Sequence, residues 1–97
     1  LDELREMRDR LVTAGVDINR YACHGNAWSI YFHDPEENYL ELYVHTPWYV
    51  PQPYGVDLDL DESNDEILRK TEALCRKDPG FMMETDRKVK ARETMLN

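Results

Sequence analysis

The sequence predicts an α+β fold: one helix, three antiparallel strands, a proline- and aromatic-rich crossing segment, then two C-terminal helices. Three observations predict it. The opening LDELREMRDRLV repeats its apolar residues at helical spacing. The stretches AWSIYFH and YLELYVH alternate apolar and polar residues, as half-buried strands do. Beyond Pro47 that alternation is replaced by prolines and acids, and helical spacing returns only after Ser63.

The first helix places Leu1, Leu4, Met7, Leu11 and Val12 on one face and its charges on the other, and Gly15 ends it as a C-terminal cap. Asp17 to Cys23 reads as a short strand, followed by turn chemistry at His24-Gly25-Asn26. Ala27 to His33 puts Trp28, Ile30 and Phe32 on one face and Ser29, Tyr31 and His33 on the other. Asp34-Pro35 forces a turn. Tyr39 to His45 alternates again, with Leu40, Leu42 and Val44 apolar and Tyr39, Glu41, Tyr43 and His45 opposite them.

PWYVPQPYG holds too many prolines for a central strand, and its aromatics favour an ordered crossing. VDLDLDESNDE reads as a solvated, acidic helix entry. An EF-hand loop counted from Asp57 fails, because Glu62 stands where glycine is needed and Leu68 where the bidentate glutamate belongs. Ser63 caps the next helix, with Glu66 at the reciprocal position and Ile67, Leu68, Thr71, Leu74 and Cys75 as its apolar stripe. Phe81 to Asn97 reads as one more charged helix, packed through Phe81, Met82, Val89 and Leu96. The chain thus divides into a strand module over 1–46, a connector over 47–62 and a helical tail over 63–97.

A chain of 97 residues suits one small domain. A formal charge of −8 argues against nucleic-acid or anionic-membrane surfaces. The absence of an apolar run of about 18 residues argues against a membrane helix, and the expectation is a cytoplasmic protein. Cys23 and Cys75 lack metal spacing and read as reduced thiols. Leu1-Asp2-Glu3 lacks an initiator Met, so the chain is expected to be a fragment of a longer protein.

Residues directly opposite in an antiparallel pair point to the same side, so the hairpin register follows from burial. A four-residue loop, 34–37, would set Tyr31 against Leu40 and mix polar with apolar faces. A five-residue loop, 34–38, pairs His33 with Tyr39, Tyr31 with Glu41 and Ser29 with Tyr43, and makes both apolar faces coincide. Tyr31 and Glu41 then stand side by side. Such a face can simply meet water, as amphipathic hairpins do. It can also line a cupped interior, where a carboxylate is costly unless paired or bound to a metal.

The run HGNAWSIYFHDPEENYLELY resembles the closing hairpin of the vicinal oxygen chelate superfamily, and within it the extradiol ring-cleaving dioxygenases acting on biphenyl-diols and catechols. A helix followed by three strands is similar to that family's βαβββ module without its first strand. The resemblance covers about half the chain, up to Pro53. It implies that Glu41 is the strand carboxylate that binds the active-site metal. It implies that Tyr31 hydrogen-bonds the phenolate of the substrate and that His24 lines the pocket as a catalytic residue. Two histidine ligands are implied on strands ahead of Leu1, while His33 and His45 read as surface histidines. The family's loop carries glycine where Glu37 stands, and Asn38 is expected to take the left-handed conformation instead.

The implied chemistry is Fe(II)-dependent cleavage of an aromatic diol by O2, with Mn(II), Zn(II) or Ni(II) as alternative metals. A 2-His-1-carboxylate triad leaves open positions on the ion for diol and dioxygen together. A different member of the superfamily, a glyoxalase-like lyase or isomerase, would keep Glu41 as ligand and drop the roles of Tyr31 and His24. A non-catalytic assembly module is the reading from another class. It rests on an open sheet edge that invites pairing with a further chain and agrees with an expected homo-oligomer.

Overall fold

The computed structural model describes residues 1–87. It is an α+β structure whose elements run α1 (Asp2–Thr13), β1 (Ile18–Cys23), β2 (Ala27–His33), β3 (Tyr39–His45), β4 (Trp48–Tyr49), β5 (Val56–Asp57), α2 (Asn64–Arg76) and β6 (Met82–Met83). The main sheet is antiparallel with strand order β3-β2-β1-β5, and β4 pairs with β6 in a second, two-stranded sheet.

The apolar face of the main sheet forms the core. Trp28, Ile30 and Phe32 of β2 are buried with Cys23 of β1, Leu4 of α1 and Ile67 and Cys75 of α2. Trp48, Val50 and Leu60, from the segment between the strands and α2, belong to the same cluster. α1 ends in a Schellman motif: Val16 N donates to Leu11 O at 2.9 Å, Gly15 N donates to Val12 O at 3.0 Å, and Gly15 has φ +80°. Arg5 ties α1 to the approach of α2, donating to the carbonyls of Leu60 and Glu62 at 3.0 Å each and to the side chain of Asn64.

The hairpin register is the one required by burial. Tyr31 pairs with Glu41, Ser29 with Tyr43, and Ile30 with Leu42. Ser63 caps α2, accepting from Glu66 N at 3.2 Å, while the Glu66 carboxylate holds Arg69 instead of returning to the cap.

Three expectations are corrected. Val56-Asp57 is an edge strand on β1 and not part of a helix entry: Cys23 pairs with Val56 and Ala22 with Asp57. The V-D-L alternation gives that strand an inward and an outward side, as an edge requires. Met82 and Met83 are not helical either. They pair with Tyr49 and Trp48, and helix begins only at residues 84–87. Val89 and Leu96 lie outside the described residues. In the hairpin loop the left-handed residue is Glu37, φ 66°, and not Asn38. Asn38 is occupied otherwise: its N and Nδ2 both donate to the Asp34 carboxylate, at 2.8 and 2.9 Å. No helix among the described residues is long and apolar enough to cross a membrane.

Candidate metal and substrate site

The face opposite the core carries Arg20 and Ala22 of β1, Ser29 and Tyr31 of β2, and Glu41 and Tyr43 of β3. A plain solvated face would expose all of them. Instead Ser29 and Ala22 are fully buried while Tyr43 is 53% exposed. The face is closed at Ala22 and Ser29 and open at Arg20 and over β3.

Glu41 is brought together with both other residues expected at the site. The Tyr31 hydroxyl lies 3.0 Å from Glu41 Oε2 and 2.6 Å from His24 Nε2, and its single proton serves one of these two acceptors at a time. His24 Nε2 and Glu41 Oε2 are 3.8 Å apart. The His24 Nδ1–H donates to the carbonyl of Tyr54 at 2.8 Å, a contact that fixes which nitrogen faces Tyr31 because a carbonyl only accepts. These side chains line an open recess of about 440 Å³ with Asn26, Tyr43, His45 and Gln52. A smaller cavity, about 220 Å³, lies between β5 and α2 and contains none of the three.

Three participants were not apparent from the sequence. Ser29 Oγ donates to Glu41 Oε2 at 2.6 Å. Gln52 Nε2 donates to the His24 carbonyl at 2.9 Å, and Tyr54 supplies the acceptor for the imidazole. The crossing segment therefore forms the wall that positions His24. Gly25 lets that wall close in. Its φ is +78°, and a β-carbon there would stand 2.4 Å from Val50 Cγ2.

The electrostatics suit a proton-donating phenol. Burial, then the hydrogen bond and charge of Glu41, push the Tyr31 hydroxyl above the ordinary tyrosine value, so it is protonated at neutral pH. Tyr39 stacks on Tyr31 with ring centroids 5.6 Å apart and shields its outer side. His33 turns away, bonding Asn19 Oδ1 at 2.9 Å, and His45 packs edge-on to Tyr43. Cys75 is buried and its thiol is pushed up to about 11 by desolvation, which suits an inert core residue.

As a metal ligand, Glu41 has one suitable atom. Both hydroxyls adjoin Oε2, and Oε1 carries no hydrogen bond among the described residues. Among the described residues no three His, Cys, Asp or Glu side chains assemble into a ligand set. No family model, no curated protein and no solved structure matches the chain.

Proposed function

We propose that the chain is the C-terminal part of an Fe(II)-dependent extradiol dioxygenase of the vicinal oxygen chelate superfamily, cleaving a catechol-type ring with O2. The observation that carries this reading is the Glu41 carboxylate, whose Oε2 accepts from Ser29 and lies beside the Tyr31 hydroxyl, which in turn adjoins His24 Nε2, while Oε1 carries no hydrogen bond among the described residues. That is how a protein orients a ligating carboxylate. Two further ligands are required, imidazoles by the resemblance. The outer edge of β3 is unpaired among the described residues, and a strand added there would stand one spacing, about 4.8 Å, from Glu41.

Fe(II), when bound, would supply a Lewis-acidic, redox-active centre able to hold diol and dioxygen on one ion. The rest is work for the chain's own residues. Tyr31, protonated at neutral pH, donates to a diol oxygen and orients the ring. His24 Nε2, 2.6 Å from that hydroxyl, exchanges protons with it, a contribution of about 10²–10⁴-fold in such reactions. Tyr54 and Gln52 keep the imidazole in place.

The test is the iron content of the natural protein and its Glu41→Ala variant, both purified without oxygen. Stoichiometric iron, lost in the variant, supports the reading. Absence of metal from both sinks it.

A further inference from the structure

Arg20 pairs directly with Tyr31 across the β1–β2 ladder, so the two side chains rise from the same face. Arg20 lines a second open recess, about 720 Å³, that shares His24 and Gln52 with the recess of Glu41. Gly55 lies between the guanidinium and the imidazole. A β-carbon on it would lie 3.6 Å from Arg20 Nη2 and 3.4 Å from His24 Nδ1, so Gly55 adjoins both groups.

The guanidinium has little to hold. Every other described arginine donates at least one hydrogen bond to a carboxylate, amide or carbonyl oxygen. Arg20 has only a long ion pair among the described residues, Nε to Asp57 Oδ1 at 3.9 Å, and that carboxylate is 97% exposed. Such a pair is worth little. Arg20 is thus a cation beside the candidate substrate site with its donors unspent.

We propose that Arg20 recognises an acidic substituent of the substrate: the aromatic diol carries a carboxylate, which pairs with the guanidinium while the diol lies at Glu41. This rests on the aromatic-diol reading above. Glu41, Tyr31 and Arg20 stand on three adjacent strands, so Glu41 and Arg20 are two spacings apart, roughly 10 Å at the backbone. An aromatic ring with a short acidic arm spans that distance. The guanidinium fork matches a carboxylate in shape and charge. The net charge of −8 repels anions at long range, so the discrimination comes from this local contact.

The test is equilibrium binding of three probes, a dihydroxyphenylacetate, an ethylcatechol and phenylacetate, to the natural protein purified without oxygen and loaded with Fe(II), and to its Arg20→Gln and Arg20→Lys variants. The acidic catechol is expected to bind about 10- to 100-fold more tightly than the neutral one. Arg20→Gln is expected to erase the difference through loss on the acidic ligand, and Arg20→Lys to retain part of it. Equal binding of both catechols to the parent chain would overturn the role of Arg20 and leave the diol reading standing. Binding of phenylacetate alone, dependent on Arg20, would uphold the anion site and overturn the diol reading. Binding of none of the three would overturn both. Arg20 is half-exposed, so its variants are expected to keep the parent's circular dichroism spectrum.

Discussion

Ser29 and Glu41 are joined by a 2.6 Å hydrogen bond although they are not direct partners in the ladder, where Ser29 faces Tyr43. The bond runs diagonally from a fully buried hydroxyl to a carboxylate that is partly exposed. It selects Oε2, the oxygen that also adjoins the Tyr31 hydroxyl, and so determines which oxygen is left for a ligand.

Removing that hydroxyl tests the arrangement. If Glu41 ligates iron as proposed, Ser29→Ala is expected to weaken iron binding by about 10- to 100-fold, the usual cost of losing a partner of a ligating carboxylate. The fold is expected to lose only about 1 kcal/mol, because Glu41 still reaches water and Tyr31. Competition with a chelator gives the first quantity and urea unfolding the second. Unchanged iron affinity would remove Ser29 from the site.

Glu37 pays for its place in the hairpin loop with a left-handed backbone, φ 66°. A β-carbon there costs roughly 1–2 kcal/mol, against which glycine's extra freedom in the unfolded chain must be set. Glu37→Gly is expected to stabilise the protein by about 0.5–1 kcal/mol, raising Tm by a few degrees. Asn38→Gly is the contrast. It removes the bond to Asp34 at a residue that is not left-handed, and Tm is expected to fall. A rise in Asn38→Gly alone would place the strain at the wrong residue.

The hairpin was legible because one-residue register errors move every side chain to the other face, and only one register set Trp28, Ile30 and Phe32 opposite Val44, Leu42 and Leu40. The Tyr31–Glu41 adjacency came with it. Ser29 was placed on the right face, but its diagonal bond depends on rotamer and burial, which period-two patterning does not encode. Tyr54 and Gln52 reach His24 from about 30 positions away through a proline-rich segment without periodicity. β5 was misread because its acids outweighed its alternation. β6 holds two residues, too few to show a period.

Asp34 ties the hairpin loop together through its carboxylate. Its carboxylate accepts from the side chain and backbone N–H of Asn38 and from Glu36 N, at 2.8 to 2.9 Å. The Asn38 side chain, then its backbone N–H, holds the Asp34 carboxyl below the ordinary aspartate value. The folded pKa is therefore lower than the unfolded one, about 3.9. The stability that this group contributes is fully present above the unfolded value and is lost as pH falls through the folded one. Carbon-detected NMR titration is expected to show Asp34 ionising below the ordinary aspartate value. Urea unfolding of the parent and of Asp34→Ala is expected to give a difference that is constant near neutrality and narrows in acid. A difference that holds its size down to about pH 2 would mean that Asp34 acts in the loop through something other than its charge.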